Sequence, residues 1–175
     1  MAVPAWQLSQ IGRSRVEELG WPPWLGETRR VVTSDEAKAV ETAGILATAL
    51  GREPEIWSGL HENDRSATGY LEAAAFDAMA DRFFAEPDTR VRGWESAVDA
   101  QARIVGAVQA VLDGHTGGGD VLFVGHGGVG TLLYCHHAGL PIDRRYDQPA
   151  GGGHVFAVDT ARGDVLFPWR SMESL

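Results

Sequence analysis

The hydrophobic and polar positions of the chain change repeatedly between a helical and a strand-like pattern. Periods typical of amphipathic helices predict helices over residues 8–19, 36–50, 69–85, 96–113 and 129–138. Short apolar runs bounded by turn residues predict strands over residues 29–33, 55–58, 120–125, 154–159 and 163–168. Strands that alternate with helices favour an α/β fold, here a three-layer sandwich with a mainly parallel sheet. We therefore predict that residues 1–175 form one domain of this class.

Polar residues at several predicted helix starts fit the capping of free backbone N–H groups. Ser9 precedes the first helix, and Ser34 precedes the second, where Glu36 would lie at the positive helix end. The stretch Ser96-Ala-Val-Asp99 resembles a capping box at the start of the fourth helix. These residues are predicted to fix where the helices begin.

Charge and composition exclude several classes of function. The net charge of −9 at pH 7 disfavours nucleic-acid binding, which needs a broad basic face. No apolar run approaches the ~20 residues of a membrane helix, and the N-terminal stretch has no signal-peptide pattern, so we expect a soluble cytoplasmic protein. The single cysteine, Cys135, excludes an internal disulfide and a multi-cysteine zinc site, and its apolar surroundings predict burial.

The stretch GHGGVG at residues 125–130 follows a predicted strand and precedes a helix. A dinucleotide loop would need further strands downstream, and only residues 131–175 follow. A nucleotide-triphosphate loop would need a lysine where Thr131 stands. The remaining functional hypothesis is that His126 acts on an anion at the helix N-terminus, where Gly127 and Gly128 allow a ligand to approach the backbone. A structural histidine in a tight turn remains an equal alternative.

Two further positions are candidates for the same chemistry. Lys38 lies on the first turn of a predicted helix, four residues from both Ser34 and Thr42, and could reach a crevice at the strand end. The alternative is an exposed lysine paired with Asp35 or Glu41. Glu62, in the polar stretch LHENDR, could serve as a general acid or base, or could lie in a solvated loop with local ion pairs.

Taken in order, five segments resemble the histidine phosphatase superfamily, also called the phosphoglycerate mutase-like family. They are WQLSQIG at 6–12, SDEAKAVETA at 34–43, LHE at 60–62, GWES at 93–96 and VGHGG at 124–128. Each segment alone is weak, but the ordered set spans nearly the whole chain. The resemblance implies the phosphoglycerate mutase-like fold.

The resemblance also implies a mechanism without a metal or an organic cofactor. In the family, a histidine in an Arg-His-Gly motif attacks phosphorus, arginines and a second histidine hold the phosphate oxygens, and a carboxylic acid protonates the leaving group. By position, His126 matches the second histidine, Lys38 an arginine of the phosphate clamp, and Glu62 the acid. Gly127 and Gly128 would lie against the phosphate. The implied partner is phosphate or a small phosphorylated substrate.

The chain departs from the family pattern in two ways. It contains no Arg-His dipeptide, and only MAVPA precedes the first matching segment at Trp6. Lys38 also keeps the charge of the expected arginine without its planar fork. Either the start was placed downstream of the true one, which we favour, or the lineage has lost the motif. Both explanations predict feeble activity or none.

Two functional hypotheses follow from the sequence. The first is a phosphatase-family domain for a small phosphomonoester, impaired for lack of the nucleophilic histidine. The second is a catalytically inactive phosphate- or partner-binding module on the same fold. A missing first strand would leave sheet edges open, and open edges pair readily with another chain, so we also expect a homodimer.

Overall fold

The computed structural model describes residues 3–20 and 22–175. Its helices are α1 (Gln10–Leu19), α2 (Ala37–Ala49), α3 (Ala73–Ala85), α4 (Ala97–Asp113) and α5 (Gly127–His137). Its strands are β1 (Thr28–Thr33), β2 (Glu55–Ile56), β3 (Asp120–Val124), β4 (His154–Asp159) and β5 (Asp164–Ser171). This is the α/β fold predicted from the sequence, with a parallel sheet and flanking helices.

The described residues fall into two compact units. Unit 1 comprises the segments up to His61, residues 107–126 and residues 172–175, and unit 2 comprises residues 62–106 and 127–171. The prediction that the whole chain is a single domain stays a prediction. No helix within the described part of the chain is long and apolar enough to cross a membrane.

Unit 1 is built on the parallel sheet β2-β1-β3. The central strand β1 contributes Val31 and Val32, which are completely buried, and α2 covers it with Ala43 and Ala47. Strands β1 and β3 run in register so that Thr33 lies beside Val124. The two carboxyl ends therefore lie next to each other, and the residues that follow them can meet.

Unit 2 contains an aromatic core and an antiparallel hairpin. Phe83 and Trp94 are each 2% exposed and belong to the core of this unit. Strands β4 and β5 form the hairpin, whose turn is held by Asp159 Oδ1 accepting the N–H groups of Ala161 and Arg162. Helix α5 contributes the completely buried Cys135, which also confirms the sequence prediction.

The element bounds agree with the sequence patterns except at several ends. The N-caps predicted at Ser9 and Ser96 are present, since their hydroxyls accept the N–H groups of Gly12 and Asp99 at 3.0 and 3.1 Å. The cap predicted at Ser34 is wrong, because α2 begins only at Ala37. Helix α5 begins at Gly127, two residues earlier than its apolar pattern indicates, because the two glycines carry no hydrophobic signal.

Candidate functional site

His126 lies directly past the carboxyl end of β3, in unit 1. Its Nε2 is 2.7 Å from the hydroxyl oxygen of Ser34, which follows the neighbouring strand β1. The same nitrogen is 3.6 Å from Oε1 of Glu36, and the His126 side chain is only 2% exposed. The parallel register explains this meeting, because adjacent parallel strands bring the residues after their ends to one edge.

Glu36 lies between His126 and Lys38. Its Oε2 is 3.2 Å from Nζ of Lys38, and its side chain is 6% exposed. Its backbone is extended, with φ −77° and ψ 135°, and it precedes α2 without capping it by its side chain. The cluster therefore places an imidazole and an ammonium group beside one carboxylate, which acts as an anion already in place, and the Ser34 hydroxyl contacts the imidazole.

The partners of Lys38 differ from the sequence expectation. Neither Asp35 nor Glu41 pairs with Lys38 among the ion pairs of the described residues; Glu41 instead pairs with Arg13 at 2.5 Å. Thr42, which shares a helix face with Lys38 by spacing, donates its hydroxyl to the Lys38 backbone oxygen at 2.8 Å. The Thr42 hydroxyl is thus used by the helix backbone rather than by the cluster, a pattern that threonine can adopt inside helices.

Glu62 lies in unit 2, where its carboxylate binds the N-terminus of α5. Oε2 accepts the N–H of Gly128 at 3.0 Å, and Oε1 accepts the N–H groups of Val129 and Asn63 at 2.9 and 3.0 Å. The first N–H groups of a helix have no partner within it, and the helix dipole favours a negative charge there. The expectation of a solvated loop with local ion pairs does not describe Glu62.

The two glycines at the start of α5 are each packed against a polar side chain. A Cβ on Gly128 would lie 2.7 Å from Oε1 of Glu62, and a Cβ on Gly127 would collide with Nε2 of Gln148. A side chain at either position would therefore require the end of the Gln148 or Glu62 side chain to move. The role of Gly127 and Gly128 in binding phosphate stays a prediction.

The structure thus places the five candidates in two groups. His126 and Lys38 belong to the cluster of unit 1, and Glu62, Gly127 and Gly128 belong to unit 2. Sequence reasoning missed that Ser34 and Glu36 contact His126. Their positions in the sequence could have indicated this contact, because Ser34 directly follows β1 and Glu36 directly precedes α2, at the same edge of the sheet as His126. No group of three or more potential metal ligands is arranged for a metal ion within the described residues.

Comparison with known proteins identifies the family. The sequence matches the model of the histidine phosphatase superfamily, branch 1, over residues 5–166. The chain belongs to this superfamily. A solved structure of a mycobacterial glucosyl-3-phosphoglycerate phosphatase with inorganic phosphate aligns with a TM-score of 0.76 and 21% identity, over 99% of this chain and 92% of that chain. No curated protein matches the chain.

Other solved structures carry the same fold as this histidine phosphatase family member. YhfR from Bacillus stearothermophilus aligns with a TM-score of 0.70 and 23% identity, over 94% of this chain and 84% of that chain. A protein described as mycobacterial hydrolase 1 aligns with a TM-score of 0.63 and 27% identity, over 79% and 71% respectively. Membership in the family makes phosphate chemistry the first function to test on the cluster around His126.

Proposed function

We propose that the chain binds phosphate or a small phosphomonoester through His126 and Lys38 and hydrolyses it weakly or not at all. Glu62 is the proposed acid for the leaving group, and Gly127 and Gly128 are proposed to let the phosphate approach the backbone. The chain contains no Arg-His dipeptide that could supply the nucleophile of the family. The proposed impairment rests on this, since the covalent route through phosphohistidine needs that nucleophile.

The observation that carries the proposal is the anion already held by the cluster. The Glu36 carboxylate lies 3.6 Å from His126 Nε2 and 3.2 Å from Lys38 Nζ. Carboxylate and phosphate oxygens accept the same charge-assisted hydrogen bonds, so groups that hold one can hold the other. The mycobacterial phosphatase that shares this fold is described with inorganic phosphate and, in another structure, with VO3.

The same carboxylate must oppose the binding of phosphate. Two unit charges 4 Å apart repel each other by ~1 kcal/mol in water and ~4 kcal/mol at an effective dielectric constant of ~20. The Glu36 side chain is only 6% exposed, but the Lys38 side chain beside it is 34% exposed and open to solvent screening, so we use the lower part of that range. Glu36→Gln should therefore tighten phosphate binding by roughly tenfold, which corresponds to ~1.4 kcal/mol.

The test is a titration of the chain with inorganic phosphate, in which calorimetry measures the heat of binding. We expect Glu36→Gln to bind more tightly than the wild type and His126→Ala in the Glu36→Gln background to lose binding. Glu41→Gln is the matched control, since it removes a carboxylate from the same helix at a residue that pairs with Arg13 instead. If neither Glu36→Gln nor the added His126→Ala changes the affinity for phosphate, the proposal is contradicted.

Hydrolysis is tested separately with a generic aryl phosphate. We expect the wild type and the His126→Ala variant to be equally inert within the assay. Turnover by the wild type that His126→Ala abolishes would mean that another group replaces the missing nucleophile and that the chain is not impaired.

The alternative function is an inactive module that binds phosphate or a partner. The position of Glu36 favours it, because a built-in carboxylate beside His126 occupies the groups that a substrate would need. Phosphate binding with no turnover of several phosphomonoesters is the result expected for this alternative. Phosphate binding accompanied by turnover is the result expected for the enzyme.

A homodimer is also part of the proposal. Within the described residues, β3 pairs with β1 alone, so its other edge has no neighbouring strand. Open strand edges favour pairing with a second copy. Light scattering coupled to size-exclusion chromatography should give twice the mass of 18.8 kDa. A monomeric mass across the accessible concentration range contradicts the dimer.

A further inference from the structure

A small cavity in unit 2 has a wall of aromatic rings and a polar side. It has a volume of about 70 Å³, and Phe76, Phe83 and Trp94 form much of its apolar wall. Asn63 and Arg65 lie on its polar side. Glu62 also lines it, so the cavity adjoins the proposed acid.

Asn63 brings a buried donor that has no acceptor. The residue is 6% exposed, and its Nδ2 has no hydrogen-bond partner within the described part of the chain. A buried amide left unpaired destabilises the folded chain, and such a group in a native structure needs an explanation, which a bound ligand that supplies the acceptor would give. The missing partner must be an acceptor, because the amide nitrogen only donates.

Arg65 brings a positive charge to the same cavity. Its guanidinium lies 5.1 Å from the ring centre of Phe76 and 5.7 Å from that of Trp94. In the described part of the chain, Arg65 forms no ion pair with a carboxylate. The cation–π contacts restrain the position of the guanidinium and leave its N–H groups for an acceptor, and a carboxylate can accept two of them.

The other charged groups around the cavity are already bound. The Glu62 carboxylate accepts backbone N–H groups, and Oδ1 of Asp147 accepts the Thr131 hydroxyl and the Gln148 N–H. Arg144 pairs with Asp77 and Asp81. Asn63 and Arg65 are therefore the donors that remain available to a ligand.

We propose that this cavity binds the carboxylate of a small organic acid through Asn63 and Arg65. A cavity of ~150 Å³ admits a benzene ring, so a volume of about 70 Å³ admits a carboxylate with roughly one or two further carbons and excludes an aromatic acid. The assignment of this carboxylate to the leaving-group part of a phosphomonoester rests on the proposed function. The binding itself does not.

The test follows the side-chain amide of Asn63 by NMR in protein labelled with ¹⁵N-asparagine. Titration with sodium acetate should shift this signal to saturation, whereas acetamide and sodium chloride should leave it unchanged. Arg65→Met should weaken acetate binding at least tenfold. Arg52→Met is the matched control, since Arg52 is exposed in unit 1, and should bind acetate as the wild type does.

A second variant guards against loss of the fold in Arg65→Met. Asn63→Asp puts a negative charge in place of the donor and should abolish acetate binding, read from the backbone amide signals of residues 63–65. Acetamide binding as tight as acetate overturns the proposal, because a neutral acceptor would then suffice. An Asn63 signal unmoved by acetate also overturns it. Acetate binding in a chain that never binds phosphate refutes the proposed function and leaves this site standing.

Discussion

The contact between Gly128 and Glu62 allows a sharp prediction for Gly128→Ala. The added Cβ would lie 2.7 Å from Oε1 of Glu62, closer than a Cβ normally comes to an oxygen, and 3.2 Å from its Oε2. The carboxylate must move, and it then loses its bonds to the N–H groups of Gly128 and Val129. The helix α5 would begin with those groups unpaired.

The magnitude follows from two opposing effects. An alanine in place of glycine in a helix stabilises by ~0.4–1 kcal/mol, because it restricts the unfolded chain. Each hydrogen bond from a backbone N–H to a carboxylate contributes ~1.5–3 kcal/mol, and water restores part of this at a half-buried group. We expect Gly128→Ala to lower the free energy of unfolding by about 1–2 kcal/mol, which corresponds to roughly 2–8 °C in Tm.

The matched control is Gly44→Ala in α2. A Cβ at Gly44 meets nothing within 4 Å, so this substitution should raise the free energy of unfolding. Both variants are measured by urea unfolding followed by far-ultraviolet circular dichroism. The decisive comparison is a double-mutant cycle, because Gly128→Ala in a Glu62→Ala background has no carboxylate to displace and should behave as Gly44→Ala does.

Two results would refute this reasoning. If Gly128→Ala stabilises the chain as Gly44→Ala does, the added methyl group does not displace the Glu62 carboxylate from its hydrogen bonds. If Gly128→Ala costs the same with and without Glu62, the strain lies elsewhere in α5. Either result would remove the physical basis for Glu62 as the cap of this helix.

Three further predictions concern titrating and reactive groups. Hydrogen bonds to Arg30 lower the pKa of Glu55, so this ion pair stabilises the fold above pH ~4.5 and less as the pH falls through the folded-state pKa of Glu55. Arg30→Gln should weaken this pH dependence in acid unfolding curves, and it should lower the free energy of unfolding at neutral pH by at most ~1 kcal/mol. Burial, with a smaller effect of the adjacent histidine, lowers the pKa of His137, so the free energy of unfolding should decline below pH ~6.5, and less so in His137→Gln. Burial raises the pKa of the Cys135 thiol, so an aromatic disulfide reagent should react only as fast as the chain unfolds.

Most of the fold could be predicted because local patterns and tertiary packing agree. The strand VLFV and the helix AVETAGILATA carry strong periods, and the structure has both elements close to the predicted bounds. The disagreement at Ser34 has a clear physical cause. Its hydroxyl bonds His126 across the strand ends, and a contact between residues 92 positions apart leaves no local sequence signal.

The site residues named from the sequence stay predictions, and the contacts that they make in the structure could not be predicted. Glu62 could be singled out as a carboxylate in a polar loop, yet its bonds to the N–H groups of Gly128 and Val129 depend on how the loop returns to α5. The buried amide of Asn63 could not be found from sequence at all. Its missing partner becomes visible only when burial and hydrogen bonds are known for each atom.

Glu36 decides how the phosphate hypothesis has to be judged. It belongs to the same chain as His126 and Lys38, so it competes at an effective concentration of roughly millimolar or above, whereas phosphate must come from solution. Weak binding by the wild type is therefore expected whether or not the cluster is built for phosphate. The affinity of Glu36→Gln, with and without His126, separates the two cases, because only there do the histidine and the lysine lack a carboxylate of their own.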